Sequence, residues 1–435
     1  MRSANTDPTY QPAHQLAAEI AARRLSPVDI VDAFLARIAR LDGKLHAYID
    51  VYGDDARLAA EAADKAIRSG HSVGPLHGVP IALKDLIDLE GRVTTGGSMA
   101  WRDRRSPAPA TLARKLIAAG MIVLGKTHTV EFAMGGWGTN EHLGTPWNPW
   151  DLETPRTPGG SSSGTGVAVA SGMAPWGIGT DTGGSVRLPA SWCGLSGLKT
   201  TIGRVSTYGI LPLAPSLDTP GPMARSVEDA ALLYSVRPGP DPLDPRTLSA
   251  PQPQHVTAGL RRGVKGLRLA RMPQGERDGC TPEVLAAYDA ALDALGRLGA
   301  EIVDLALPCR FADATRAVGR ITAPDYLAAL AERDAMKRAF LGAFQEVDAL
   351  LTPTTQTPAI PVDSIDQTTT PAFFTRFVNL LELCALSVPD GFTATGLPLS
   401  LHIICRPYDE ATALRIGWAY QQATDWHERH PPGLN

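Results

Sequence analysis

Apolar residues fall at helical spacing soon after the N-terminus. Ile30, Val31, Phe34, Leu35, Ile38 and Leu41 recur every three or four positions, the period of one buried helix face. Ser26 suits the N-cap, Pro27 the first helical position, and Asp29 the first turn, where a carboxylate meets the positive helix end. An Ala-rich stretch predicts a second helix over roughly residues 54–69. The pattern then shifts to short apolar runs. GVPIALKDLID (78–88) carries Lys84 inside one, residues 110–120 predict a helix ending at Gly120, and MIVLGKT (121–127) predicts a buried strand. Later, GLRLAR (266–271) and EIVDLAL (301–307) predict strands flanking a helix that Thr281-Pro282 begins and Gly299 ends. A strand–helix–strand unit of this kind is consistent with parallel pairing. The alternation as a whole predicts an α/β fold, with helices packed on a central sheet.

Two stretches break the pattern. Residues 133–184 are rich in Gly, Ser and Thr, which cost backbone entropy to order and so are kept for a reason. Residues 236–257 are rich in Pro and polar groups and predict an exposed connection, not a domain boundary.

Composition narrows the class. The 435 residues allow two or three domains or one large core, and 44% hydrophobic with 20% charged residues is ordinary for a soluble globular protein. The net charge of −4, without a long block of one sign, predicts no nucleic-acid partner. Five scattered cysteines without a CxxC pair predict reduced thiols, not a disulfide framework or zinc site. The polar N-terminus and the absence of a long apolar window predict a cytoplasmic chain with no membrane partner.

Three segments carry candidate chemistry. In Asp181-Thr182-Gly183-Gly184-Ser185 a hydroxyl follows two glycines, a turn able to aim backbone N–H groups into one concavity. Such donors would hold an oxyanion while Ser185 attacks, although a lone TGGS is more often a tight turn. Gly160-Ser161-Ser162-Ser163-Gly164 fits the G-x-S-x-G elbow, with Ser162 as an esterase-type nucleophile. That reading needs a later acid and histidine, and His255, His402, His427 and His430 stand in no convincing motif. Lys84 in an apolar run would be a neutral base if buried, or a lysine paired with Asp85.

Taken together, GVPIALKD, GGSSSG and GTDTGGSVRLPASWCGLSGLK resemble the signature of the amidase-signature family, in order and wording. The likeness runs from about residue 12 to 425. It implies a single large α/β domain with a central mixed, twisted sheet covered by helices on both faces. Within it, the implied segments are a helical one at about 12–70, a catalytic core at about 71–235 and a pocket-forming remainder at about 258–428.

By motif match, the resemblance implies a Lys84–Ser161–Ser185 triad, with a cis peptide before Ser161. Thr182, Gly183 and Gly184 would serve the oxyanion, and no metal or cofactor is implied. The implied activity is hydrolysis of a small amide, urea or hydrazide. The alternative is the glutamine-hydrolysing A-type subunit of a tRNA-dependent amidotransferase, and a non-catalytic scaffold is a third reading. The implied partners are a small amide and water, at most within a homodimer.

The chain departs from the family pattern at several places. Ser163 replaces a glycine at a helix entry, and Met134 and Trp137 stand where a pocket would be lined. Glu382 and Cys384 replace a glycine and a proline in the segment resembling NLxGxPA. Phe373, Phe374 and Phe377 are either a pocket wall or core.

Overall fold

A computed structural model of the chain describes residues 7–236, 238–253, 255–313 and 322–434. The helix predicted near the N-terminus spans Pro27–Leu45, and the Ser26 hydroxyl caps it by accepting the Val28 N–H at 3.1 Å. It runs one turn past Leu41 and closes at His46, whose φ of 50° is left-handed. A helix at Ala13–Ala21 precedes it, with a buried face of Ala13, Leu16, Ala17 and Ile20. Two of those four are alanine, which gives little apolar signal in sequence. The Ala-rich helix spans Gly53–Arg68, and the helix ahead of Gly120 spans Thr111–Ala118.

Eleven strands form one sheet. In chain order they are β1 (Tyr48–Val51), β2 (Pro80–Lys84), β3 (Ile122–Thr127), β4 (Trp176–Asp181), β5 (Ser196–Lys199) and β6 (Thr219–Ala224). There follow β7 (Arg268–Arg271), β8 (Glu301–Asp304), β9 (Ala349–Pro353), β10 (Cys384–Phe392) and β11 (Pro398–Cys405). Their order across the sheet is β1-β3-β2-β4-β6-β5-β10-β11-β9-β7-β8. Pairing is parallel for β3-β2-β4 and for β9-β7-β8, and antiparallel elsewhere, so the sheet is mixed. The predicted strand–helix–strand unit is β7, Pro282–Arg297 and β8, with Arg268 opposite Glu301 in parallel register. It lies at one edge, which leaves the middle of the sheet to the segments carrying the serines.

Helices cover both faces, and one contiguous apolar core runs through the single α/β domain. Side chains alternate along a strand. In β10 the Leu386 and Val388 side chains meet the Glu410–Gln422 helix at Gly417, while the intervening Ser387 bonds Thr354 at 2.9 Å on the other face.

The 236–257 connection is pinned down more firmly than its composition predicts. Asp241 and Asp244 are buried, taking bonds from the Ser206 hydroxyl at 2.6 Å and the Thr207 N–H at 2.8 Å. Residues 237 and 254 of this stretch lie outside the described residues. All five cysteines are free thiols.

Candidate active site

The parallel strands β2 and β4 end at the same edge of the sheet, where ligand sites of α/β folds collect. Lys84 closes β2, and Thr180-Asp181 close β4. The Gly/Ser-rich segment crosses in front and enters the Ser163–Ala170 helix, so Ser163 stands at a helix entry.

Lys84 is fully buried, and its Nζ donates to Ser161 Oγ at 2.7 Å and to Thr180 Oγ1 at 2.8 Å. Pairing with Asp85 does not occur. The Asp85 carboxylate instead takes Lys126 Nζ at 2.9 Å and the Thr95 N–H at 2.9 Å, because adjacent residues on a strand point to opposite faces. Burial pulls the Lys84 ammonium down to about 7, against the opposing pull of Asp181 and Asp218. Such an amine is about half neutral near pH 7.

Ser161 is fully buried and follows a cis peptide, Gly160–Ser161. Its carbonyl accepts the Val130 N–H at 3.1 Å. Ser162 is turned away. Its hydroxyl donates to the Thr180 carbonyl at 3.2 Å and faces β4, remote from solvent. His402 bonds Arg187 at 3.1 Å, His427 and His430 line a cavity near the N-terminus, and His255 is exposed. None of these bonds Ser162, so the elbow reading lacks its base.

Ser185 sits on a turn held by one carboxylate. Asp181 accepts the Gly184 N–H at 2.8 Å, the Val186 N–H at 3.1 Å and two Arg187 bonds at 2.9 and 3.0 Å. Asn379 adds a bond at 2.9 Å and accepts one from Arg187 at 2.6 Å. Burial raises the Asp181 pKa, but Arg187 outweighs it and holds the group well below the usual carboxylate range. Gly184 has φ 135°, and a Cβ there would collide with Thr375 Oγ1, so glycine is required. The Ser162 N–H donates to the Ser185 carbonyl at 3.2 Å, which seats Ser185 beside Ser161 in the chain crossing. The Gly184 N–H is taken by Asp181, so it is not open to a ligand.

Ser185 is 7% exposed, at the floor of a cavity of about 380 Å³. Met134 and Gly183 line it together with the 369–376 segment. Trp137 is not among its walls. It stacks on Trp192 at 5.6 Å and donates its indole N–H to the Thr369 carbonyl at 3.1 Å, so it holds the wall from behind. Phe374 and Phe377 are fully buried against Phe311, in core packing.

Glu382 and Cys384 do not line the cavity either. Glu382 adopts φ 58°, a conformation that favours glycine, and its carboxylate pairs with Lys337. Phe132 and Ala133, at φ 46° and 62°, are further left-handed residues, and Ala133 lines the cavity. Backbone strain of this kind gathers at functional sites. A second cavity, of about 490 Å³, lies across Thr182 and reaches Thr180 and Asp218.

Among the described residues, no cluster of His, Cys, Asp and Glu is arranged to hold a metal ion. No helix among them is long and apolar enough to cross a membrane.

Comparison with known proteins gives the family of these elements. The family model described as Amidase matches residues 29–310 and 309–414. The A-type subunit of glutamyl-tRNA(Gln) amidotransferase from Geobacter metallireducens is 37% identical over 477 aligned positions, covering 95% of this chain and 97% of that protein. The solved peptide amidase of Stenotrophomonas maltophilia superposes with a TM-score of 0.87 at 30% identity, covering 98% and 99% of the two chains. A structure described as a vestigial protein complex revealing the origins of an s-triazine catabolic enzyme gives 0.88 at 32%, covering 95% and 98%.

These findings correct the expected partners. A small amide alone, no nucleic acid and at most a homodimer does not fit relatives named as one component of an enzyme of glutamyl-tRNA. The net charge of −4 describes one chain and is silent on an assembly of several. The relatives' names fit the amidotransferase alternative better than the stand-alone reading.

Proposed function

The chain belongs to the amidase family, and on that footing we propose that it hydrolyses a carboxamide C–N bond through an acyl-enzyme on Ser185, as the glutamine-hydrolysing component of an amidotransferase assembly. The observation that carries the chemistry is the fully buried Lys84–Ser161 bond of 2.7 Å beside the Ser185 turn. Neutral Lys84 accepts the Ser161 proton while Ser161 accepts that of Ser185. The Ser185 oxygen attacks the carbonyl carbon, and N–H groups of the Thr182–Ser185 turn other than that of Gly184 stabilise the oxyanion. Ser161 then returns a proton to the leaving nitrogen as the C–N bond breaks. Water adds to the acyl ester by the same relay, releasing the acid and freeing Ser185. The place in an assembly and the choice of glutamine rest on the names of the relatives, and a cavity of about 380 Å³ suits so small an amide.

The test is isolation of the tagged chain from its own cells, with ammonia release from glutamine as the readout. The expected result is release in fractions holding companion proteins and none with Ser185→Ala. Equal release by the chain alone would contradict the role in an assembly, and no release from either preparation would contradict glutamine.

A further inference from the structure

The relay from Lys84 to Ser185 makes no use of His402, yet this residue belongs to a chain of buried polar groups that ends at the nucleophile's turn. It sits on β11 opposite Thr352 of β9 and Ser387 of β10, on the sheet face that the Arg187–Trp192 helix covers. His402, Arg187 and Asp181 are all fully buried.

The protonation state of His402 follows from its two neighbours. A guanidinium has only donors, so Arg187 Nη1–H gives to His402 Nε2 at 3.1 Å, and that nitrogen is unprotonated. On the other side, the Thr352 hydroxyl gives its one proton to the Pro353 carbonyl at 2.8 Å. Its oxygen therefore accepts from His402 Nδ1–H at 3.3 Å. Both neighbours require the neutral ring with its proton on Nδ1. Burial and the Arg187 charge hold it neutral, against the weaker pull of Asp181.

The Arg187 guanidinium is gripped at each of its three nitrogens. Nε and Nη2 give to Asp181 at 3.0 and 2.9 Å, Nη2 also gives to Asn379 at 2.6 Å, and Nη1 gives to His402. Asp181 in turn takes the N–H groups of Gly184 and Val186, the residues on either side of Ser185. A tilt of the guanidinium would move that carboxylate, and the turn with it.

We propose that His402 is a positioning residue for Ser185: its unprotonated Nε2 fixes the plane of Arg187 and, through Asp181, the turn that presents the nucleophile. This rests on Ser185 being the acylated residue. A histidine that served packing alone could be replaced by any side chain of similar volume.

The test compares the full chain as wild type, H402Q, H402L and T352V. Each is read for the limiting rate and half-saturating concentration of fluorophosphonate labelling at Ser185, by mass spectrometry, and for its thermal unfolding midpoint. H402Q keeps an acceptor for Arg187, whereas H402L fills the volume without one. H402L should lower the limiting rate about 10- to 100-fold, the range for a buried charged donor left unpaired, with the half-saturating concentration unchanged within about twofold. H402Q should stay within about twofold of wild type, and T352V, which removes the group that orients the ring, should slow labelling about three- to tenfold. A wild-type limiting rate in H402L, or in T352V should H402L not fold, overturns the proposal. So does an equal loss in H402L and H402Q, which would point to packing alone. The ring itself is read by heteronuclear NMR of histidine-labelled wild type, the His402 signals being those absent from H402Q. A neutral ring protonated on Nδ1 is expected from about pH 5.5 to 9, and a proton on Nε2 or a charged ring overturns the assignment. Wild type that stays unlabelled at Ser185 would instead contradict the acyl-enzyme, and the ring spectrum would still decide the state of His402.

Discussion

Lys84 and Lys126 lie on adjacent parallel strands one register step apart, and neither side chain reaches solvent. Burial lowers both amines. Their surroundings differ. Lys126 meets the Asp85 carboxylate at 2.9 Å and the Thr94 hydroxyl at 3.0 Å, so its charge is matched. Lys84 bonds two hydroxyls, from Ser161 and Thr180, and feels Asp181 and Asp218 only through space. A hydroxyl steadies an ammonium far less than a carboxylate does. Burial therefore makes a structural cation on one strand and a group poised near neutrality on the next. What separates them is which face Asp85 points to.

The contrast can be broken by substitution. Lys84→Met should lower kcat/KM about 10³- to 10⁴-fold, as expected for loss of a general base. Its thermal unfolding midpoint should stay close to wild type, because an apolar side chain of similar length fills the site. Lys126→Met should act the other way. It leaves Asp85 buried without its cation, a change of about 3–5 kcal/mol in stability by chemical denaturation. Turnover per folded molecule should fall less than about tenfold, an effect transmitted only through packing. Adding Asp85→Asn to Lys126→Met should recover much of the lost stability. If it does not, the charge pairing is not what stabilises this strand.

Two smaller effects sharpen the same comparison. Only the neutral form of Lys84 can take a proton. Lowering pH through its value of about 7 therefore converts base to ammonium, and kcat/KM should fall about tenfold per unit below that point. A flat profile between about pH 6 and 8 would place the base elsewhere. Thr180→Val removes a hydroxyl that accepts from Lys84, so the cationic form loses support. The rising limb should then move to lower pH by about half a unit, with a rate change of only a few-fold.

Much of this was legible in sequence because local signals agree. The apolar period of 30–41, the cap at Ser26 and the strand around 122–127 formed where the pattern placed them, and the apolar run around 80–84 is a strand as well. Lys84 in its apolar run left open a buried base or a pairing with Asp85, and its side chain is buried and bonded to two hydroxyls. Distance along the chain hid the rest. Asn379 reaches Asp181 from 198 residues away, and no spacing rule predicts that clamp. Arg376 stands in an aromatic run whose phenylalanines drew attention, yet Phe374 and Phe377 are core while the arginine reaches the cavity. Trp137 stands where the family resemblance puts a pocket wall, and its indole instead braces the 369 segment. Partnership was the least legible property, since net charge says little about which companions a chain assembles with.

The central claim is that Lys84, through Ser161, activates Ser185. It is tested most directly by the rate at which a fluorophosphonate labels Ser185 in wild type and Lys84→Met, followed by mass spectrometry between about pH 5.5 and 9. The account predicts a wild-type rate that climbs through a midpoint near 7, and a variant rate at least about a hundredfold lower and nearly independent of pH. A Lys84→Met protein that labels Ser185 at the wild-type rate, with the wild-type pH dependence, would contradict it.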